Sequence, residues 1–524
     1  MKPTALRFAL VFIQLAVGLL CNASELFVAA FEDSSSLSDW SKSGAESDSF
    51  AISSGALRIT QPNPGGTAVC RQEIPIDGPV PELVTLSAKI KAENVSEKPN
   101  HHNGVKVMLV VETDRGIEYP QLSLPDKSFD WSTAKRSIRL PRDTRKLTLS
   151  LGLEKCTGTV WFDKVRIDLG RMQSKAKQLG TPFRGHNLPR LRGVMHGPDF
   201  DEKSFEDLAA WGANQIRWQL NWTPMKPAEQ WAKDLDAYDD WLDSILDDTD
   251  KAVDACEKYR IAMLLDLHCP PGGRGEGGVC RMFQEKQYQD KFLDIWRKLA
   301  TRYKGRDIIY AYDLINEPVE PGLLPDGLLD WRELATEATK AIRQIDPGKP
   351  VVFEPGPWGS CNGFDEMVPL DVNRVIYSFH MYQPHSFTHQ FQQKDRYPNG
   401  LVYPGKVDGV YWDRAKLLES MKPALDFERD FNVPIYVGEF SAIRWAPDES
   451  AYRYLIDLIE LFEQQRWDWS YHAFREFHGW SVEHSTNERE KTPTVTPTKR
   501  EQLLRKWFAL SEQFKRASGS GRQE

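Results

Sequence analysis

Residues 308–318 read IIYAYDLINEP. Up to Ile315 the run is apolar or aromatic except for Asp313, and it closes on Asn316, Glu317 and Pro318. A continuous apolar run of this length suits a strand buried on both faces, as in a parallel sheet covered by helices. Proline has no N–H to offer a sheet and helps end the strand. The amide and the carboxylate then fall at the strand's C-terminal rim.

Seven further runs of the same kind surround it: LRGVMHG, NQIRWQL, IAMLLDLH, VVFEPGPW, VIYSFHMY, PIYVGEF and WSYHAF. Between them lie stretches such as YQDKFLDIWRKLATRY and WRELATEATKAIRQI, whose apolar residues recur at helical spacing. Eight buried strands alternating with amphipathic helices predict an α/β architecture, a (β/α)8 TIM barrel over residues 191–515. A doubly wound open sheet is the competing topology. It would announce itself by a Gly-rich phosphate turn after the first strand, which LRGVMHG lacks.

Nearly every predicted strand ends on a polar or ionisable residue. The series is His196, Arg217, His268, Asn316 with Glu317, Glu354, His380 with Tyr382, and Glu439. In a barrel this rim carries the active site. Glu317 and Glu439 fall on the fourth and seventh strands, which face each other across the barrel. Two opposed carboxylates suit glycoside hydrolysis, one protonating the leaving oxygen while the other attacks or activates water.

LINEP and YVGEF, with Arg217, His268 and the His380-Met381-Tyr382 pattern, resemble glycoside hydrolase family 5, the cellulase-type family of clan A. The resemblance covers roughly residues 185–515. It implies Glu317 as general acid/base and Glu439 as nucleophile. Asn316 would bond the sugar 2-hydroxyl, Arg217 would orient the nucleophile, and His268 would hold sugar hydroxyls and the surrounding network. His380 would lie beside Glu317, and Tyr382 beside Glu439. The family normally places Trp at the end of strand eight as a sugar-stacking floor. Here the stretch reads DWSYHAFREFHGW, so His472 or Phe474 falls near that place, with Trp480 just beyond.

Residues 24–170 alternate apolar and polar residues at period two, as in LVTLSAKIKAENV, GVKVMLVVET, AKRSIRLP and KLTLSLGLE. They predict an all-β sandwich ahead of the barrel. GTVWFDKVRI, at 158–167, resembles the last strand of jelly-roll carbohydrate-binding modules. Trp161 is expected in the core, with Trp131 and Phe129 as the better sugar platforms. A basic stretch at 171–190 reads as a linker or a chain running over the next domain, and residues 516–524 as a disordered tail.

The N-terminus has Lys2 and Arg7 before an apolar run from Phe8 to Leu20, then small or polar residues to Ala23. This is the pattern of a signal peptide over 1–23, and it places the mature chain outside the cytoplasm, extracellular or periplasmic. Export permits disulfides, for which Cys70 with Cys156 and Cys269 with Cys280 are candidates. The spacings do not suggest zinc, no calcium loop is present, and neither a cofactor nor a metal is called for.

The net charge of −8 speaks against nucleic acid or an anionic membrane as partner. Seventeen Trp suit a polysaccharide cleft, with Trp222, Trp358, Trp412, Trp445 and Trp480 at predicted rim positions and Trp211, Trp296 and Trp331 in helical, core-facing ones. The sequence thus predicts a secreted, monomeric retaining hydrolase of a β-linked polysaccharide, β-1,4-glucan first and mannan second. The alternative from another class is a carbohydrate-binding protein that has lost catalysis. A serine esterase has no support, since no GxSxG occurs.

Overall fold

The computed structural model describes residues 25–29, 31–44, 46–169, 183–221, 232–365, 367–390 and 399–512. The expected signal segment, the tail, Trp222 and residues 171–182 of the linker lie outside them. Among the described residues no helix is long and apolar enough to cross a membrane.

The period-two stretches of the N-terminal region form two antiparallel sheets. One runs in the order Phe129–Arg139, Leu83–Glu93, Gly158–Leu169, Ala56–Gln61, Phe50–Ser53, with Glu25–Ala29 also on Gly158–Leu169. The other runs Ser41–Ser43, Thr67–Ile74, Thr144–Glu154, Gly104–Thr113, Gly116–Glu118. Alternate residues such as Leu147, Leu149, Leu151 and Leu153 fill the core between the sheets. Trp161 corrects its expectation. Its neighbours Val160 and Phe162 take the inward places, while Trp161 is half-buried on the outer face, with Lys91 Nζ 5.5 Å over its ring. Phe129 packs against the sandwich core, and Trp131 lies under Lys89 Nζ at 5.4 Å.

The eight apolar runs form a closed parallel barrel. Its strands are β1 Arg192–His196, β2 Gln215–Gln219, β3 Ala262–Asp266, β4 Ile309–Asp313, β5 Val351–Phe353, β6 Val375–Met381, β7 Ile435–Phe440 and β8 Asp468–Tyr471. Nearly every residue in them is buried, because one face meets the helices and the other fills the barrel. Residues 183–190 run across the floor, where Phe183 and Leu188 pack on the inner cluster of Leu264, Ala311 and Val352. The helix Trp331–Ile345 starts on a capping box in which Asp330 and Glu333 exchange side-chain and backbone bonds.

The two sheets and the barrel are knitted together by the segment after Glu317. Leu324–Pro325 adds to the sandwich as an edge strand, opposite Thr133 and Ser132. Leu323 packs into the sandwich core and Leu324 into the barrel's. Leu83 of the sandwich is likewise buried in the barrel cluster. Lys89 pairs with Asp326 at 2.7 Å, and Lys135 with Asp330 at 2.8 Å.

The suggested disulfides are not formed. Cys70, Cys156, Cys256, Cys280 and Cys361 are free, buried thiols, and the Cys269 thiol lies 3.4 Å from Asn221 Oδ1.

Candidate active site

Arg217 is the inward residue at the centre of β2, and its guanidinium organises the upper barrel. Nε donates to Asp313 Oδ2 at 2.9 Å, Nη1 to Glu439 Oε1 at 2.8 Å, and Nη2 to Glu354 Oε1 at 2.9 Å and Asn316 Oδ1 at 3.2 Å. Asp266 Oδ1 stands 3.3 Å from Nη2. A fully buried cation of this kind persists only because carboxylates surround its planar fork. Burial pushes Asp313 well above the usual carboxylate range despite Arg217 beside it.

Three residues past β4, Asn316 donates toward His268 Nε2 at 3.2 Å, and His268 Nδ1 meets Asp266 Oδ2 at 2.8 Å. Glu317 follows with φ of 50°, in the left-handed region that non-glycine residues rarely adopt. Its backbone N–H donates to Glu354 Oε2 at 2.8 Å.

His380, near the end of β6, bridges the two halves of the site. Nδ1 is 2.9 Å from Glu317 Oε1 and 3.6 Å from Glu439 Oε2, and Nε2 is 2.9 Å from Glu354 Oε1. Burial disfavours its charged form, but the carboxylates of Glu354 and Glu439 outweigh burial and hold the imidazole well above its ordinary value. Burial likewise opposes ionisation of Glu439, yet His380, His472 and Arg217 hold it well below the carboxylate range. Glu439 Oε2 also accepts the Tyr382 hydroxyl at 2.8 Å. Burial and the Glu439 charge keep the phenol protonated by raising its pKa far above the usual value.

Glu317, His380 and Glu439 each present an atom within 4.8 Å of the others. That set has the composition of a metal site. However, both His380 nitrogens already face carboxylates, so a cation would have to break those bonds.

The predicted residues Arg217, His268, Asn316, Glu317, His380, Tyr382 and Glu439 thus converge on one rim. His196 does not join them. It stacks on Trp218 at 5.3 Å within an aromatic cluster, and burial lowers its pKa. At the end of β8 it is His472 that turns to the site: Nδ1 lies 2.6 Å from the Tyr382 hydroxyl and 3.2 Å from Glu439 Oε2. Phe474 instead packs edge-on to Trp211 at 5.5 Å. Trp480 stacks behind Tyr382 at 5.4 Å. Of the other Trp residues assigned to the rim, Trp358 is 44% exposed, whereas Trp412 is buried in the barrel cluster, a correction. Trp445 packs partly buried against that cluster. Trp211, Trp296 and Trp331 are core residues, as their helical spacing predicts.

Sequence reasoning passed over Asp266, Asp313, Glu476 and Gln219. For the two aspartates a signal exists, since each closes an otherwise apolar strand.

A closed parallel barrel whose C-terminal rim holds two facing carboxylates, one ion-paired and one bonded to histidine, is the framework of a glycoside hydrolase. The family model of cellulase, glycosyl hydrolase family 5, matches residues 175–476, more than half of the chain, and the protein belongs to that family. It is 28% identical over 287 residues to endoglucanase C of Acetivibrio thermocellus, spanning 50% of this chain and 80% of that one. It is 25% identical over 274 residues to cellodextrinase A of Ruminococcus flavefaciens, spanning 50% and 75%. Among solved structures, Thermotoga maritima Cel5A in complex with cellobiose aligns over 62% of this chain and 100% of its own, with a TM-score of 0.48 and 22% identity.

Proposed function

We propose that the protein hydrolyses β-1,4-glucan with retention of configuration, by double displacement. The observation that carries this reading is the approach of Glu317 and Glu439 from facing strands, an oxygen of one within 4.8 Å of an oxygen of the other. Retaining enzymes hold their carboxyl groups about 5–5.5 Å apart, whereas inversion needs roughly 6.5–9.5 Å to admit a water. Glu439, ionised and oriented by Arg217 and Tyr382, attacks the anomeric carbon. Glu317 gives its proton to the departing glycosidic oxygen. Glu317 then takes a proton from water as that water displaces Glu439 from the covalent intermediate.

Asn316, fixed by Arg217 and His268, is placed to bond the sugar 2-hydroxyl, a contact that tightens in the transition state. The exposed ring of Trp358, braced by Arg274 at 5.0 Å, offers a stacking face beside Pro318. The endoglucanase and cellodextrinase relatives support glucan as the backbone. The basic and apolar N-terminal segment supports action outside the cytoplasm.

The test is product release from carboxymethylcellulose, mixed-linkage glucan, xyloglucan, glucomannan and xylan by the wild type and Glu317→Ala. Release from the glucans by the wild type alone is expected. Equal release by the variant, or none from any polymer by the wild type, rejects the assignment.

A further inference from the structure

His472 occupies the place where an aromatic floor is expected, and its surroundings are polar. Tyr382 commits its proton to Glu439 Oε2 at 2.8 Å. The imidazole nitrogen 2.6 Å from that same hydroxyl oxygen must therefore be the donor, and it also faces Glu439 Oε2 at 3.2 Å. The far nitrogen faces Glu476 Oε1 at 3.6 Å. Glu476 Oε2 is fixed by Gln219 Nε2 at 2.8 Å, and Gln219 Oε1 in turn accepts from Asn221 at 3.3 Å. A carboxylate faces each ring nitrogen of this side chain, only 13% exposed, and although burial opposes the charge, Glu439 and Glu476 raise the imidazole to about 10, which favours the imidazolium at neutral pH.

We propose that His472, held by Glu476, is a positioning residue that favours the second half-reaction by stabilising Glu439 as the departing carboxylate. The inference rests on Glu439 being the nucleophile. In the first step the Glu439 oxygen forms a bond to the anomeric carbon, the glycosidic bond breaks, and Glu439 loses its negative charge. In the second, a water oxygen bonds the anomeric carbon, Glu317 takes its proton, the ester bond breaks, and the charge returns to Glu439. A fixed cation 3.2 Å away resists the first change and assists the second, without moving a proton itself. Arg217 and Tyr382 bear on the same carboxylate, but they also set its orientation, so removing either would mix geometry with charge. His472 adds charge to a carboxylate already placed.

The experiment is stopped-flow and steady-state kinetics with 2,4-dinitrophenyl β-cellobioside, comparing wild type, His472→Gln and Glu476→Gln. Loss of the cation slows ester breakdown, so His472→Gln shows a burst of dinitrophenolate. Its kcat falls about tenfold, the scale of one charge-assisted hydrogen bond, and KM falls with it. The ratio kcat/KM, which reports the first step, stays level or rises. Glu476→Gln shifts the same quantities in the same direction by less, and it decides the matter if His472→Gln does not fold. A fall in kcat/KM matching that in kcat, or no change in either variant, overturns the inference. Glu439→Ala is run alongside. Turnover by that variant, or none by the wild type, defeats the catalytic reading itself, whereas an inactive Glu439→Ala beside an unsplit His472→Gln defeats only the role given to His472.

Discussion

Glu354 Oε2 accepts the backbone N–H of Glu317 at 2.8 Å, so a buried carboxylate just past β5 fixes the main chain of Glu317 beyond the end of β4. Its other oxygen takes Arg217 and His380, each at 2.9 Å. Burial opposes this charge, but His380 and Arg217 hold Glu354 below the carboxylate range. Glutamine at this position can accept at one end only and would turn an amide toward a cation at the other. Breaking a buried pair of this kind costs ~3–5 kcal/mol. Glu354→Gln should lower the unfolding temperature and reduce kcat about a hundredfold with little change in KM. Calorimetry and polysaccharide kinetics test this, and near-wild-type kcat would show that the left-handed backbone at Glu317 stands without it.

The two carboxylates separate by leaving group. A dinitrophenolate departs without protonation, so Glu317→Ala should release it from an aryl cellobioside at an appreciable rate while cleaving polysaccharide at least ~100-fold more slowly, the usual scale of general acid catalysis. Azide, as an anionic nucleophile that needs no base, should accelerate the variant and yield a glycosyl azide. Glu439→Ala should fail on both substrates. Exchanged behaviour of the two variants would exchange their roles.

Trp358 carries a narrower expectation. Its ring is 44% exposed at the rim after β5, and Arg274 lies over it. An aromatic contact of this kind contributes about 0.5–1.5 kcal/mol. Trp358→Ala should raise KM for polymer several-fold, leave kcat near wild type and leave the unfolding temperature unchanged. An unchanged KM removes Trp358 from the substrate path.

The barrel was legible because each strand is short, apolar and closed by a polar residue, and LINEP and YVGEF marked the two ends that matter. Asp266 and Asp313 were less visible. An acid inside an apolar run reads as an exception until Arg217 is seen to need it. His472 and Phe474 could not be told apart by position alone, since the choice depends on which side chain β8 turns toward Tyr382. Trp161 was misplaced for a similar reason. The strand Gly158–Leu169 is strictly alternating there, and the inward register belongs to Val160 and Phe162. The strand Leu324–Pro325 has two residues and a proline, too little pattern to read, and its pairing is fixed by the sandwich it joins.

That joint predicts how the sandwich acts on the barrel. Leu83 is buried among barrel residues, whereas Lys135, about a third exposed, pairs with Asp330 and Glu333 at 2.8 and 2.7 Å. Truncating a buried leucine costs roughly 2–5 kcal/mol, while an exposed ion pair contributes under about 1 kcal/mol. Leu83→Ala should lower the unfolding temperature well beyond Lys135→Ala. Leu324→Asp should also depress kcat, because the segment it anchors begins at Glu317. Stability and activity measured on the three variants test this, and a Leu324→Asp enzyme of full activity would mean that the sandwich does not steady Glu317.

The pairing of His472 makes stability depend on pH with a definite sign. Burial alone would lower its pKa, but Glu439 and Glu476 raise it from an ordinary 6.5 to about 10. Between those values the folded protein holds a proton that the unfolded chain has released, so stability falls as pH rises. The contribution of this group is full below pH 6.5 and is lost as pH climbs through about 10. The unfolding temperature of wild type should therefore exceed that of His472→Gln by most near pH 6, with the gap closing steadily toward alkaline pH. A gap that stays constant, or widens with pH, would mean that the ring between the two glutamates is neutral in the folded enzyme.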